Sequence, residues 1–281
     1  MGQNRVITAI DCDENEVFWV EETRWTVVGL LSIVVKTKEE PIAMTENKRF
    51  GDDVGGWTVP PRPEAFEMKG DFVALERLDA DLHAADLHGA NSVDDALWDY
   101  LPYGPFPSAA DYLRWARSVE EKDDPYFYAV RDLKNGHVCG VLSFLRISPE
   151  AGGIEIGHIN FAPELQKTRA ATEAFYLAME WAFEAGYRRF EWKCDANNIP
   201  SRRAAQRLGL SYEGVFRQAA IVKGKNRDTV WFAAIDKEWP ALKEAYKTWL
   251  APQNFSESGA QIISLKDLTG IVRASSDPVL K

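Results

Sequence analysis

One continuous stretch, Ile154 to Gly214, contains most of the information about the fold: IEIGHINFAPELQKTRAATEAFYLAMEWAFEAGYRRFEWKCDANNIPSRRAAQRLGLSYEG. An apolar strand comes first, Ala162 and Pro163 end it, and a turn rich in hydrogen-bond donors leads into an amphipathic helix that Gly186 stops. A second strand and a second helix follow. The pattern therefore predicts a strand at 154–161, a turn at 166–171, a helix at 173–184, a strand at 188–194 and a helix at 198–208.

The first turn of this stretch has the features of an anion site. A helix that begins directly after a strand leaves its first N–H groups unpaired, at the positive end of the helix dipole. Such a terminus binds phosphate or diphosphate well. Lys167 and Arg169 add positive charge there, and Arg202 and Arg203 lie at the start of the next helix, in a chain of net charge −10.

Four short motifs give the stretch a family resemblance. Gln166-x-x-Arg169-x-Ala171 resembles the phosphate loop Gln/Arg-x-x-Gly-x-Gly/Ala of the GNAT N-acetyltransferases. Two further motifs, Asn198-Ile199-Pro200-Ser201 and Leu208-Gly209-Leu210, resemble the Asn-x-x-Ser and Leu-Gly-Phe of the family's next helix. The fourth, Glu155-Ile156-Gly157, is similar to a strand motif of the branch of that family that includes the ribosomal-protein N-terminal acetyltransferases. The likeness extends more loosely from Phe72 to Asp236.

Three positions depart from the family pattern. Arg169 stands where the family has a glycine close to the diphosphate, so its side chain must point away or join the binding. Ala205 stands where many relatives have a tyrosine that protonates the departing thiolate. The strand between Gly157 and Pro163 has one residue too many, which predicts a longer β-bulge and makes the face of each side chain uncertain.

The order of predicted elements is that of an α+β protein. The resemblance implies a GNAT-like mixed, mostly antiparallel twisted sheet that is splayed at its centre and flanked by helices. We expect an N-terminal extension at 1–56, the acetyltransferase domain at 57–250 and a loosely held C-terminal tail at 251–281. The change of character at Met44 leaves two alternatives for residues 1–43: an extra strand or extension, or a segment foreign to the native protein.

Composition bounds the class of protein. The 281 residues include 46% hydrophobic and 27% charged residues, as in soluble globular proteins. The acidic balance argues against nucleic-acid binding. The apolar run Val27 to Val35 is too short to span a bilayer. Three distant cysteines indicate a reducing, cytoplasmic location, and no spacing of His or Cys predicts a metal site.

Acetyl transfer to an amine needs an oxyanion donor, a proton acceptor and a donor to the leaving thiolate. The resemblance assigns the first role to the backbone N–H groups of Phe161 and Ala162. Glu155 and His158 are the candidate bases, which strict alternation places on opposite strand faces unless the extra residue intervenes. Ser201 is the candidate donor to sulfur, although Ser201 or Asn198 also suits a helix cap.

The remaining candidates bind acetyl-CoA or shape the acceptor pocket. Arg202, Arg203 and Arg207 either contact the 3′-phosphate or decorate a surface helix, and Arg203 is the preferred ligand. The aromatic loop 97–107 either shapes the acceptor pocket or fills the core. The full predicted acetyl-CoA site comprises Phe161, Ala162, Gln166, Lys167, Thr168, Arg169, Ala170, Ala171, Asn198, Ser201 and Arg203.

The predicted function is therefore N-acetyl transfer from acetyl-CoA, as co-substrate, to a primary amine by direct attack in a ternary complex. The acceptor is either a protein N-terminus or a small-molecule amine. A non-catalytic acetyl-CoA sensor or interaction module is the alternative, and a nucleotide-binding protein without acyl chemistry is a third reading. We expect a monomer or homodimer with no nucleic-acid or membrane partner.

Overall fold

The computed structural model describes residues 8–12, 16–20, 50–64 and 67–280. The chain divides into two compact units, Met1–Asp53 and Val54–Lys281. In the first unit, strand β1 (Thr8–Cys12) pairs antiparallel with strand β2 (Glu16–Val20). The apolar run at 27–35 and the change of character at Met44 lie outside the described residues, so the expectations for them stay predictions.

The second unit contains the other described strands and all the described α-helices. In chain order they are β3 (Met68–Lys69), β4 (Val73–Arg77), α1 (Ala80–Asn91), α2 (Ala109–Val119), β5 (Tyr126–Asp132), β6 (Val138–Ser148), β7 (Gly153–Phe161), α3 (Arg169–Glu184), β8 (Arg189–Asp195), α4 (Ile199–Arg207), β9 (Ser211–Val222), β10 (Lys225–Ile235), α5 (Trp239–Leu250) and α6 (Leu265–Gly270).

These strands form one sheet in the order β3-β4-β5-β6-β7-β8-β10-β9. Strands β7 and β8 pair in parallel, and every other neighbouring pair of this sheet is antiparallel. Parallel neighbours need a crossover connection, and α3 supplies it. This mixed, mostly antiparallel sheet confirms the predicted α+β fold.

Helices cover both faces of the sheet. Alternate residues of β5 show the division: Tyr128 packs in a core cluster with residues of α3 and α5, whereas Phe127 packs in a second cluster with Leu87 of α1 and Tyr112 of α2. Because side chains alternate along a strand, each strand contributes to both layers. We call the side that bears Phe127 the α1/α2 face.

The predicted bulge lies in the middle of β7. Val141 of β6 faces Asn160 and Ser143 faces Gly157, so Leu142 lies opposite two residues, His158 and Ile159. His158 has a φ of 50°, in the left-handed region. An extra residue with such a backbone shifts the strand's alternation by one position, and this confirms the bulge that the sequence predicts.

The C-terminal segment makes buried contacts, whereas the sequence led us to expect a loosely held tail. Helix α6 contacts α4 and α5, and Leu265 is buried. Asp277 forms a bidentate ion pair with Arg202 at 2.6 and 2.7 Å, and neither side chain is more than 5% exposed. This segment therefore stabilises α4 from outside the predicted domain boundary at residue 250.

Among the helices of the described segments, none combines the length and the apolar character needed to cross a bilayer.

Candidate active site

A gap opens between the two parallel strands. Residues 153–156 of β7 pair with residues 189–192 of β8, and no further pair follows, although β7 continues to Phe161 and β8 to Asp195. The carboxyl ends of the strands therefore part beyond Ile156 and Trp192. The two edges of this gap carry backbone N–H and C=O groups that the sheet does not use.

The edge of β7 offers one of the two predicted backbone donors. The Ala162 N–H donates to Cys139 O at 2.9 Å, so it is not available as an oxyanion donor. Successive residues of a strand present their N–H groups to opposite sides, and the Phe161 N–H therefore points away from β6, towards the gap. The Gln166 side chain donates to Phe161 O at 2.8 Å and fixes this strand end.

Aromatic side chains form the floor of the gap. The ring of Phe175 in α3 lies 5.4 Å from those of both Phe161 and Trp192. Trp192 Nε1 donates to Ser201 Oγ at 3.0 Å. Because Oγ accepts this bond, the Ser201 hydroxyl keeps its own proton for another acceptor. Ala205, in the position of the family tyrosine, is fully buried.

The start of α3 leaves several amides without partners. Thr168 is the N-cap, and its hydroxyl accepts from the Ala171 N–H at 3.0 Å. Within the described part of the chain, the N–H groups of Lys167, Arg169 and Ala170 have no hydrogen-bond acceptor. The predicted anion site at this helix start therefore has donors ready for a phosphate.

Arg169 stands where the family has a glycine, so its side chain must either point away from the diphosphate site or join the binding. In the structure it lies on aromatic rings, as in the first of these alternatives. Its guanidinium lies over the Phe255 ring, 3.3 Å from the ring centroid, and 5.3 Å from that of Phe72. These contacts draw the side chain onto aromatic rings and leave the backbone N–H unpaired. Lys167 is exposed, with a φ of 61°.

Helix α4 has three arginines that the sequence offers as phosphate ligands, and not all of them are free to bind a phosphate in the structure. Asn198 is its N-cap and accepts from the Ser201 N–H at 3.0 Å, as expected of one of the two residues. Arg202 is buried in its pair with Asp277 and is therefore not free for a phosphate. Arg203 is exposed, and Arg207 lies 3.3 Å from Thr172 Oγ1, with burial lowering its pKa.

The bulge places both candidate bases on the α1/α2 face. Glu155 pairs with Leu145 of β6. Leu145 lies two residues after Ser143 and so on the same face of the sheet, and Ser143 pairs with Phe127 of β5. The His158 ring lies 5.1 Å from the Phe127 ring. Without the extra residue these side chains would lie on opposite faces, so the bulge is what brings them together.

Glu155 is engaged by two cations. Its carboxylate, 3% exposed, accepts from Arg146 Nη1 at 2.7 and 2.8 Å and lies 2.9 Å from Lys193 Nζ. Lys193 also pairs with Glu191 at 2.7 Å and lies 3.6 Å from the Trp231 ring centroid. Both carboxylate oxygens are therefore occupied by ion pairs with these two cations.

His158 has a different environment. Its Nδ1 lies 3.0 Å from the Tyr103 hydroxyl, and the two rings stack at 5.6 Å. Burial, followed by the positive charges of Arg146 and Arg227, lowers its pKa to about 4. The imidazole is therefore neutral at physiological pH, and it has a lone pair that can accept a proton or a hydrogen bond.

The loop between α1 and α2 and the β9–β10 hairpin border the α1/α2 face. Tyr103 of the loop reaches His158, and Tyr100 donates to Asn197 O at 3.1 Å. Lys223, at the hairpin tip, donates to Trp98 O at 2.8 Å. The placement of Tyr103 agrees with the acceptor-pocket alternative for loop 97–107, while Trp98 and Phe106 fill the second core cluster.

Three residues with unpaired polar groups were not among the predicted site residues. Asn160, Trp231 and Arg227 carry buried side-chain N–H or C=O groups that have no partner within the described residues. The bulge of β7 places Asn160, and β10 places Trp231 and Arg227, so none of the three belongs to the four motifs of the sequence. Strand alternation in 225–235 was the one available signal, because it puts residues 227, 229 and 231 on one face.

Comparisons with known proteins agree with this geometry. The model of the acetyltransferase (GNAT) domain family matches residues 73–211. A GCN5-related N-acetyltransferase from Brucella melitensis is 44% identical, with a TM-score of 0.75, and the match covers 76% of this chain and 99% of that one. A probable acetyltransferase of the GNAT family from Chromobacterium violaceum ATCC 12472 is 39% identical, with a TM-score of 0.65 and coverage of 69% and 98%.

A curated relative from Bacillus subtilis (strain 168) is named an uncharacterized N-acetyltransferase, YnaD. It is 27% identical over 150 residues, which cover 52% of this chain and 84% of the relative. The family match supports acetyl transfer from acetyl-CoA over binding without turnover. With a sheet that parts beside a helix start and relatives that share most of its length, this chain belongs to the GNAT family of N-acetyltransferases.

Proposed function

We propose that this enzyme transfers the acetyl group of acetyl-CoA to a primary amine inside the gap between β7 and β8, by direct attack in a ternary complex. The observation that carries the proposal is the parting of these strands after Ile156 and Trp192, beside a helix start with unpaired amides. The acceptor amine is that of a protein N-terminus or of a small molecule, and it enters from the α1/α2 face.

The start of α3 supports binding of the diphosphate. The amides of Lys167, Arg169 and Ala170 supply hydrogen bonds that cost no reorganisation, and the helix dipole adds to their attraction. Thr168 and Ala171 form the cap that holds these amides in place. Gln166 ties this turn to the end of β7.

Two groups along the gap suit the reacting thioester. The Phe161 N–H would donate to the carbonyl oxygen as negative charge develops on it. Ser201, whose oxygen already accepts from Trp192, would donate its proton in a hydrogen bond to the departing sulfur. Asn198 holds the first turn of α4 and so positions Ser201.

His158 is the candidate proton acceptor that has an unoccupied lone pair. Both oxygens of Glu155 are bound by cations, whereas the imidazole is neutral. If Nδ1–H donates to the Tyr103 oxygen, the Nε2 lone pair is free for the amine. The role that remains for Glu155 is to position Arg146 and Lys193 beside the gap.

The two described cysteines do not suit a covalent acetyl-enzyme. Burial raises the pKa of the Cys194 thiol to about 11 and that of Cys139 to about 12. Both are therefore protonated at neutral pH, and a thiol is a much poorer nucleophile than a thiolate. Direct attack of the amine on the thioester is the simpler route.

Thiol release from acetyl-CoA over a panel of amines tests this proposal. We expect turnover with at least one amine, loss of most turnover in His158→Gln, and retained acetyl-CoA binding in that variant by calorimetry. Exposed Lys247→Gln in α5 is the matched control. Acetyl-CoA binding without transfer to any amine would instead favour a sensor module.

A further inference from the structure

Two side-chain N–H groups of β10 that lack hydrogen-bond partners within the described residues indicate what kind of amine the enzyme acetylates. Val230 and Phe232 face the core cluster that includes α3, so Thr229 and Trp231 face the other way, as does Arg227 two positions earlier. The pairing of β10 with β9 shifts between Arg227 and Thr229, but the extra residues of this irregularity belong to β9. The alternation of side chains along β10 is therefore kept from residue 227 to residue 232. All three side chains therefore lie on the α1/α2 face.

Arg227 is a cation without a counter-ion. Its Nε is buried with no hydrogen-bond partner, and no carboxylate of the described residues pairs with it. The neighbouring Asp228 points to the opposite face, where it accepts from the Gln218 N–H at 2.7 Å. A buried donor without an acceptor is costly, and more so on a charged group.

The other charges of this face are already matched. Glu155 holds Arg146 and Lys193, and Lys193 also pairs with Glu191. Asp124 is used by the backbone N–H groups of Arg146 and Ile147. Arg227 is therefore the one cation among these described groups that has no carboxylate partner, and its positive charge favours a lower pKa for both His158 and the Cys194 thiol.

A second donor lies on the same strand face. Trp231 Nε1 is also buried without a partner, while the Trp231 ring packs between Lys193 and Phe216. Two N–H donors that lack acceptors on one face, one of them charged, are suited to the oxygens of an anion.

We infer that the acceptor amine carries an anionic group, a carboxylate or a phosphate, which Arg227 binds while the amine lies beside His158. This inference rests on the proposed site of acetyl transfer and names its substrate class. It disfavours polycationic acceptors, such as polyamines, because their charges would meet an unpaired arginine.

Matched pairs of acceptors test the inference. Free amino acids are compared with their amides, aminoalkyl phosphates with the amino alcohols, and peptides having Glu at the second position with those having Gln. We expect the anionic member of one pair to have a kcat/KM higher by at least about tenfold, as for a charged hydrogen bond. The pair that shows the preference identifies the source of the anion.

Two arginine variants of the same hairpin complete the test. Arg227→Gln should abolish the preference, whereas Arg217→Gln, an exposed change beside Asp228, should retain it. Equal kcat/KM within every pair, a preference for the neutral members, or a preference that survives Arg227→Gln would overturn the inference. If no member of the panel is acetylated, that result would count against the proposed function itself.

Discussion

Trp192 Nε1 donates a hydrogen bond to Ser201 Oγ across 3.0 Å, which joins the floor of the gap to the first turn of α4. Because Ser201 Oγ accepts this bond, its own proton remains available for a second hydrogen bond, and the proposed recipient is the sulfur that leaves. Strand β8 thus contributes both to the floor of the gap and to the placement of Ser201.

Ser201→Ala should lower kcat by roughly tenfold to a hundredfold, because the departing thiolate loses its donor. The KM for acetyl-CoA should change little. Trp192→Phe keeps a ring but removes the N–H, so it should cause a smaller loss. A Ser201→Ala enzyme with normal kcat would show that the residue only supports the helix start.

His158 should make stability depend on pH. Its folded pKa of about 4 lies below the ordinary 6.5, so the unfolded chain takes up the proton first as pH falls. Stability is therefore lost between pH 6.5 and about 4, by up to about 3 kcal/mol at this site. Urea unfolding at several pH values should show a flatter profile for His158→Gln than for wild type. Parallel profiles would contradict the assigned burial.

Arg169→Glu should weaken binding of acetyl-CoA by roughly tenfold, because a negative charge would lie beside the amides proposed for the diphosphate. The helix itself should tolerate the change, since an acidic side chain suits a helix N-terminus. Arg169→Gln separates the loss of the Phe255 stack from charge repulsion. Calorimetry with equal affinities for all three proteins would argue against this placement.

Asp277→Asn should destabilise the protein by about 3 kcal/mol, because Arg202 would stay buried without its counter-ion. Thermal unfolding measures the loss. The double variant Arg202→Met with Asp277→Leu should recover most of it, and the KM for acetyl-CoA should stay close to that of wild type. A large rise in that KM for the double variant would return Arg202 to the cofactor site.

The sequence predicts those parts of the site that depend on residues close together in the chain. The strand at 154–161 and its bulge followed from local apolar spacing and one surplus residue, and the structure has both. The cap at Asn198 followed from residue type. Helix α3 begins earlier than expected, at Arg169, because the Thr168 hydroxyl caps it.

What the sequence missed depends on residues far apart in the chain. Arg202 was a candidate phosphate ligand, and only the fold brings Asp277 to it, 75 positions away. Arg169 meets Phe255 for the same reason. The lack of a carboxylate partner for Arg227 among the described residues appears only in the fold, where Glu155 and Glu191 pair with other cations.

A crystal structure of the protein with bound CoA is the most direct test of the central claim, that the parted strands form the acetyl-transfer site. We expect the diphosphate on the amides of Lys167, Arg169 and Ala170, the pantetheine between the ends of β7 and β8, and the thiol within reach of Ser201. A complex in which CoA lies elsewhere, with nothing between Phe161 and Cys194, would contradict the account.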